Sequence, residues 1–239
     1  MALKTTNTAT FNLDVNEIIE EAFERCGQEL RSGYDFRTAR RSLNLMLMEW
    51  ANRGVNLWTV EQGEIQLVPG IGTYNIPVDT VDLLDHVIRT GAGQNQIDIT
   101  ISRISGSVYA AIPNKNAQGR PVQVWINRQS GATNANNTVE YPEVYVWPVP
   151  DNSTCYTFVY WRLRRMFDVG SGTSGQDVPF RFMPCMIAGL AYHLALKLPG
   201  SEMRIPMLKG MYDEAWQAAA DEDRDKSPLR FVPRQSFLR

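Results

Sequence analysis

Residues 64–77 read Glu64-Ile65-Gln66-Leu67-Val68-Pro69-Gly70-Ile71-Gly72-Thr73-Tyr74-Asn75-Ile76-Pro77, and across them the apolar spacing abandons the helical period. Ile65 and Leu67 alternate with Glu64 and Gln66, the pattern of a strand with one buried face. Pro69-Gly70-Ile71-Gly72 is a strong turn signal. Thr73–Pro77 then reads as a short strand, predicting a β-hairpin closed on residues 64–68.

Upstream of this stretch the period is helical. Asp14 followed by Glu17 has the form of a capping box, and Val15, Ile18, Ile19, Ala22, Phe23 and Cys26 then share one helix face. Gly27 and Ser32-Gly33 offer a stop. A second helix is expected from about Asp35, with Phe36, Ala39, Leu43, Leu47 and Trp50 on one stripe, widened by Met46 and ended by Arg53-Gly54. Arg37, Arg40 and Arg41 fall on its more polar side. Such a helical pair needs a further layer to cover it.

Downstream, Leu83–Arg89 reads as a strand, and Gly91-Ala92-Gly93 as a turn. Ile97, Ile99 and Ile101 alternate with polar residues, which predicts one buried face. A short helix is expected over Ser105–Ala111. Val122–Asn127, Val139–Trp147 and Cys155–Arg164 supply three more strands, the last the longest, and Pro142 marks an edge strand or a bulge. The helical period returns after Gly170–Gly175. Met186, Ile187, Leu190, Ala191 and Leu194 form one apolar helix that stops at Pro199-Gly200. Ser201 is placed to cap a last helix with Pro206 in its first turn and Met207, Leu208, Met211, Ala215 and Ala218 on its buried side.

The expected class is therefore α+β. N- and C-terminal helix pairs join in one bundle, an antiparallel β-rich domain of six or seven strands is inserted between them, and an extended C-terminal arm follows. The divisions fall at residues 1–59 (arm and helical hairpin), 60–169 (β-rich domain), 170–225 (C-terminal helices) and 226–239 (arm).

Composition narrows the function classes. The 239 residues are 44% hydrophobic and 21% charged, ordinary for a globular protein with a real core. A formal net charge of -2 lacks the basic excess of a dedicated nucleic-acid binder. Cys26, Cys155 and Cys185 form neither a CxxC pair nor an even set, so free thiols are expected, buried at Cys26 and Cys185. Met1–Thr10 is polar without the pattern of a signal peptide, and Met183–Leu198 is too short to span a bilayer. These features predict a protein of a reducing cytoplasm with no membrane partner. On that expectation the sequons at Asn136 and Asn152 are chance matches.

No formal motif carries chemistry. Gly170, Gly172 and Gly175 spell GxGxxG, but a dinucleotide site needs a strand–turn–helix unit in a parallel sheet and a later acid. The flanking strands look antiparallel, and apolar helix stands where that acid belongs. His86 and His193 lie far from any cysteine or carboxylate at metal-ligand spacing. The carboxylate groups Glu20-Glu21, Asp82 with Asp85, and Asp221–Asp225 read as solvated faces or caps. No catalytic residue, cofactor or metal is expected.

Two regions stand out as surfaces. Trp125, Tyr141, Tyr145, Trp147, Tyr156, Tyr160 and Trp161 crowd the β-rich region, and both faces of its last strand are apolar. Tyr145, Trp147 and Trp161, with Arg162 and Arg164 as a rim, are candidates for a subunit interface. In the tail, Lys226, Arg230, Arg234 and Arg239 stand with Phe231 and Phe237 and no acid, the make-up of an arm that docks on a partner.

Several stretches resemble the head-to-tail adaptor (connector, or tail tubular A-like) proteins of short-tailed bacteriophages. Arg40–Ala51 with Gly54, Leu57 and Trp58 resembles the family's second helix and its exit. Leu67–Pro77 resembles its "L-PG---Y-LP" hairpin. Ile112–Lys115 with Gly119–Pro121, and Tyr145–Pro150, match further stretches in order, so the likeness runs over roughly residues 35–165. The resemblance implies a structural virion protein, not an enzyme. It implies a twelve-subunit ring between portal protein and tail nozzle protein, lining the channel through which double-stranded DNA passes without specific binding. It assigns portal contact to the 226–239 arm and places the protein at the head–tail junction of the virion, assembled in the host cytoplasm. Another tail-completion component, or a carbohydrate-binding virion protein using the aromatic region, remains an alternative at this point.

Overall fold

Asp14 and Glu17 start the first helix by satisfying one another's backbone donors. The Asp14 carboxylate accepts from the Glu17 N–H at 2.9 Å, and the Glu17 carboxylate from the Asp14 N–H at 3.0 Å. In the computed structural model, which describes residues 11–54, 57–128, 140–170 and 175–223, this cap opens the first of five α-helices. They are α1 (Val15–Cys26), α2 (Gly33–Asn52), α3 (Gly106–Ala110), α4 (Met183–Ala195) and α5 (Ile205–Glu222). The eight described strands are β1 (Val60–Gln66), β2 (Thr73–Asn75), β3 (Thr80–Thr90), β4 (Ile97–Thr100), β5 (Ser102–Arg103), β6 (Gln123–Asn127), β7 (Glu143–Trp147) and β8 (Tyr156–Arg164). The chain is α+β and divides into two units. One gathers the described parts of Met1–Leu57 and Asp168–Arg239, the other those of Trp58–Phe167.

In the helical unit, α4 is the centre. Apolar residues surround it, and Met186, Leu190 and Ala191 are wholly buried. α1, α2 and α5 pack mainly against α4, while α1 and α2 touch each other little, so the expected N-terminal hairpin is held together through a third helix. Gly189 permits the closest approach. A Cβ there would stand 2.6 Å from the Met46 sulfur and 2.7 Å from the Tyr212 ring. Trp50 is fully buried, its ring 5.8 Å from Phe182 and 5.4 Å from Trp216, and its indole N–H donates to the Tyr212 hydroxyl at 2.9 Å.

That hydrogen bond accounts for a departure from the expected pattern. α5 buries Leu208, Tyr212 and Ala219, while Met207 and Met211 are exposed, as is Ala218. Because Trp50 satisfies its hydroxyl, Tyr212 can turn inward, and the helix rotates its methionines toward solvent. Ser32 also differs. It caps the start of α2 through a box with Asp35 and is not part of a stop. Ser201 makes no side-chain cap; its hydroxyl donates to the Cys26 carbonyl at 3.2 Å, tying the end of α1 to the α4–α5 connection.

The β unit has two four-stranded sheets, ordered β1-β8-β3-β4 and β2-β7-β6-β5. All pairings are antiparallel except β5 with β6. Leu83, Ile88, Phe158 and Tyr160 of the first sheet share one core with Val124, Ile126, Val144 and Val146 of the second. Opposite Tyr160 in the β1–β8 register sits Gly63, and a Cβ there would meet the tyrosine ring at 2.4 Å. The missing side chain makes room for the ring.

The expected hairpin over residues 64–77 does not form. β1 pairs with β8 and β2 with β7, so the turn carries the chain from one sheet to the other. The connection is longer than the about two to five residues of most hairpins. Its bonds are made elsewhere. Gly70, at φ 81°, gives its N–H to the Pro150 carbonyl, and the Tyr74 hydroxyl accepts from the Val68 N–H and donates to the Ile71 carbonyl, each at 2.8 Å. Other strand expectations change too. β4 lies at a sheet edge, and its isoleucine face is buried only in part: Ile97 is 60% exposed, Ile99 is half-buried, and Ile101 just beyond it packs against the core. β7 lies between two neighbours, and Pro142 precedes it, giving its carbonyl to the Ile76 N–H. β3, not β8, is the longest strand.

Tyr212→Phe keeps the six-membered ring but leaves the buried Trp50 indole N–H without its acceptor. We expect a loss of about 1–2 kcal/mol in unfolding free energy, read from urea denaturation followed by far-UV circular dichroism. An unchanged midpoint would show that this hydrogen bond does not organise the bundle.

Candidate functional site

β6 and β7 turn Val124, Ile126, Val144 and Val146 into the core, so by alternation Trp125, Tyr145 and Trp147 lie on the opposite face. They are half-buried there. α3, capped by the Ser105 hydroxyl, sets Tyr109 against them. Trp125 stacks on Tyr145 at 4.6 Å and on Tyr109 at 5.1 Å, and the Lys115 ammonium stands 5.7 Å from the Tyr109 ring. The Tyr145 hydroxyl donates to the Glu143 carboxylate at 2.7 Å; that bond first, then burial, raises its pKa to about 12. The Trp147 indole donates to the Asn114 carbonyl at 3.0 Å. Tyr145 and Trp147 are thus apolar plates with satisfied polar tips, suited to lying against another surface.

Trp161, Arg162 and Arg164 lie on β8, in the other sheet. Trp161 is half-buried in register with Gln62 and Asp85. Arg162 bridges Asp79 at 2.6 Å and Glu61 at 2.8 Å, and Arg164 meets Glu61 at 2.6 Å with its guanidinium 4.2 Å from the Phe167 ring. Burial alone would raise the Asp79 pKa, but the hydrogen bond and charge of Arg162 outweigh it and hold the carboxyl below its ordinary value. The two arginines thus bind the ends of β1 and β8 together. The alternation that picked out Arg162 and Arg164 held no sign of Glu61 and Asp79, because ion pairing depends on strand register.

The structure brings Tyr145 and Trp147 to one face and sets Trp161, Arg162 and Arg164 in the neighbouring sheet. The arm residues Lys226, Arg230, Phe231, Arg234, Phe237 and Arg239 lie outside the described residues, as do Met1–Thr10 and positions 171–174 of the glycine-rich linker.

Of the three thiols, two are built into the packing. Cys26 and Cys185 are buried, and desolvation raises their thiols to about 11 and about 12, while Cys155 is exposed. Burial likewise pushes the imidazoles of His86 and His193 below their usual value. Asp82 pairs with Arg103 and Arg128. Asp223 is less solvated than its acidic neighbours led one to expect: it is buried, pairing with Arg181 at 2.8 Å and accepting the Leu57 N–H at 3.2 Å. Among the described residues no cluster of His, Cys, Asp or Glu could hold a metal ion, and no helix is long and apolar enough to cross a membrane.

The architecture is a helical bundle with an inserted two-sheet unit, one sheet of which carries half-buried aromatic residues on its outer face. The chain belongs to the SU10 adaptor protein family, whose model matches residues 13–232. It is thus a viral structural protein of the phage head-to-tail adaptor kind. Among curated proteins, none matches the chain.

Two predictions follow from the β unit. Breaking a fully buried ion pair costs about 3–5 kcal/mol. Glu61 and Asp79 keep 42% and 31% of their side chains exposed, so Arg162→Met is expected to cost about 1–2 kcal/mol. Full stability in this variant, with defective self-assembly, would instead make Arg162 an interface residue. For His86 the folded pKa is lowered, so the unfolded chain takes the proton first. Stability is full above the unfolded value of about 6.5 and declines as pH falls through it toward the folded value. Between about pH 7 and about pH 5.5 the wild-type urea midpoint should therefore fall further than that of His86→Leu, and equal falls would show that this proton is not linked to folding.

Proposed function

We propose that the protein forms a ring joining the portal protein to the tail nozzle protein at the head–tail junction and lining the channel for DNA ejection. The family match over residues 13–232 carries this reading. In it the ring has twelve copies, and the subunit boundary runs over the half-buried aromatic residues Tyr145, Trp147 and Trp161. Arg162 and Arg164 stiffen that edge through their ion pairs.

The 226–239 arm would reach the portal, with Phe231 and Phe237 as anchors and Lys226, Arg230, Arg234 and Arg239 meeting acidic groups. One such contact is weak, but twelve copies on one ring engage together at high effective concentration. The formal net charge of -2 fits a wall that DNA slides past, since each phosphate-neutralising cation would add to retention. Deleting residues 226–239 should leave a folded chain, judged by circular dichroism, that no longer co-sediments with portal rings. Co-sedimentation at the wild-type level would remove the arm from this reading.

A further inference from the structure

α1 carries Glu17, Glu20, Glu21 and Glu24 along one side, and that side borders a cleft of about 460 Å³. Its apolar lining includes Phe11, Met183 and Ile187, the last two from the start of α4. Phe11 is 82% exposed, a large ring with little covering it among the described residues. Glu17 is used in the helix cap and Glu21 pairs with Arg25 at 2.9 Å. Glu20 and Glu24 are exposed, one turn apart, and make no ion pair among the described residues. The cleft is therefore apolar at its base and negative along one rim, within the helical unit.

The end of α5 lies near the start of α4. Asp223, the last described residue, pairs with Arg181 at 2.8 Å, and Arg181 stands two positions before Met183 of the cleft. The segment that follows, Arg-Asp-Lys-Ser-Pro-Leu-Arg-Phe-Val-Pro-Arg-Gln-Ser-Phe-Leu-Arg, has five cations, one acid and two phenylalanines. From Asp223 to Phe231 an extended chain reaches about 26–29 Å, whereas Glu17 to Glu24 spans only about 10 Å of helix. The reach is ample.

We propose that, before assembly, residues 224–239 occupy the α1–α4 cleft of their own subunit. Phe231 meets Met183 and Ile187, and the arginines meet Glu20 and Glu24. The cleft is thus a storage site for the arm, and any partner of the arm must compete with α1 for it. Opposite charge sets the direction of the segment, and the apolar floor supplies the contact area.

The test uses the full-length chain with p-benzoyl-phenylalanine at position 231, irradiated as the isolated protein and mapped by mass spectrometry. Intramolecular crosslinks to Met183 or Ile187 are expected, falling roughly tenfold in Glu20→Lys/Glu24→Lys. If that pair disturbs the helix, seen as a lowered melting temperature, Arg230→Glu/Arg234→Glu should give the same fall from the other side. Crosslinks that map elsewhere, that join two copies, or that ignore both charge reversals would overturn the proposal. The inference stands apart from the portal contact. An arm that never crosslinks to the cleft, yet whose deletion still blocks portal attachment, would sink this proposal alone.

Discussion

α4 gives little of its surface to water: of its residues only Pro184 is exposed, and Tyr192 and His193 are half-buried. Met183, Cys185, Met186, Ile187, Leu190, Ala191 and Leu194 between them cover its circumference, and a helix apolar all round must be enclosed. α1 and α2 precede the β unit and α5 follows it, so enclosure of α4 brings helices from both sides of the insertion together. Everything between residues 58 and 167 must then leave the bundle and return to it. The two-unit organisation is a consequence of that burial. Gly189 marks how tight the enclosure is, since Met46 and Tyr212 occupy the space of its absent side chain.

The crossings between units are pinned on the bundle side by single polar contacts. The Leu57 N–H donates to the buried Asp223, and the Val169 N–H donates to the Asn44 side chain at 2.8 Å. Asp223 also holds Arg181, so one carboxylate organises three segments. A charge so placed is stable only with its partners, and it ends α5 where the basic segment begins.

Local chemistry was legible in the sequence and long-range pairing was not. The Asp14 capping box, the Gly27 stop and the face from Val15 to Cys26 depend on neighbours a few residues away, and they stand as expected. Residues 64–77 show the opposite case. Their alternation and turn are real, but alternation states only which side chains share a face, and the partner strands β8 and β7 lie about 70–100 residues onward. The burial of Tyr212 has no local signal, and only the folded bundle reveals Trp50 beside its hydroxyl. In the same way the sequence offers Arg162 and Arg164 only as an interface rim, and it is register that brings Glu61 and Asp79 to them. The aromatic residues of β6 and β7 could be named from the sequence, though not their stacking with Tyr109 from α3.

The register of β1 with β8 has a further consequence. These are the strands by which the chain enters and leaves the β unit, and Val60 lies directly opposite Leu163. The two ends of the insertion therefore stand one strand spacing apart, about 5 Å. A module with adjacent ends can be enlarged, trimmed or exchanged without stretching the scaffold that carries it. In such an architecture a lineage can refashion the inserted sheets while the enclosure of α4 is left alone.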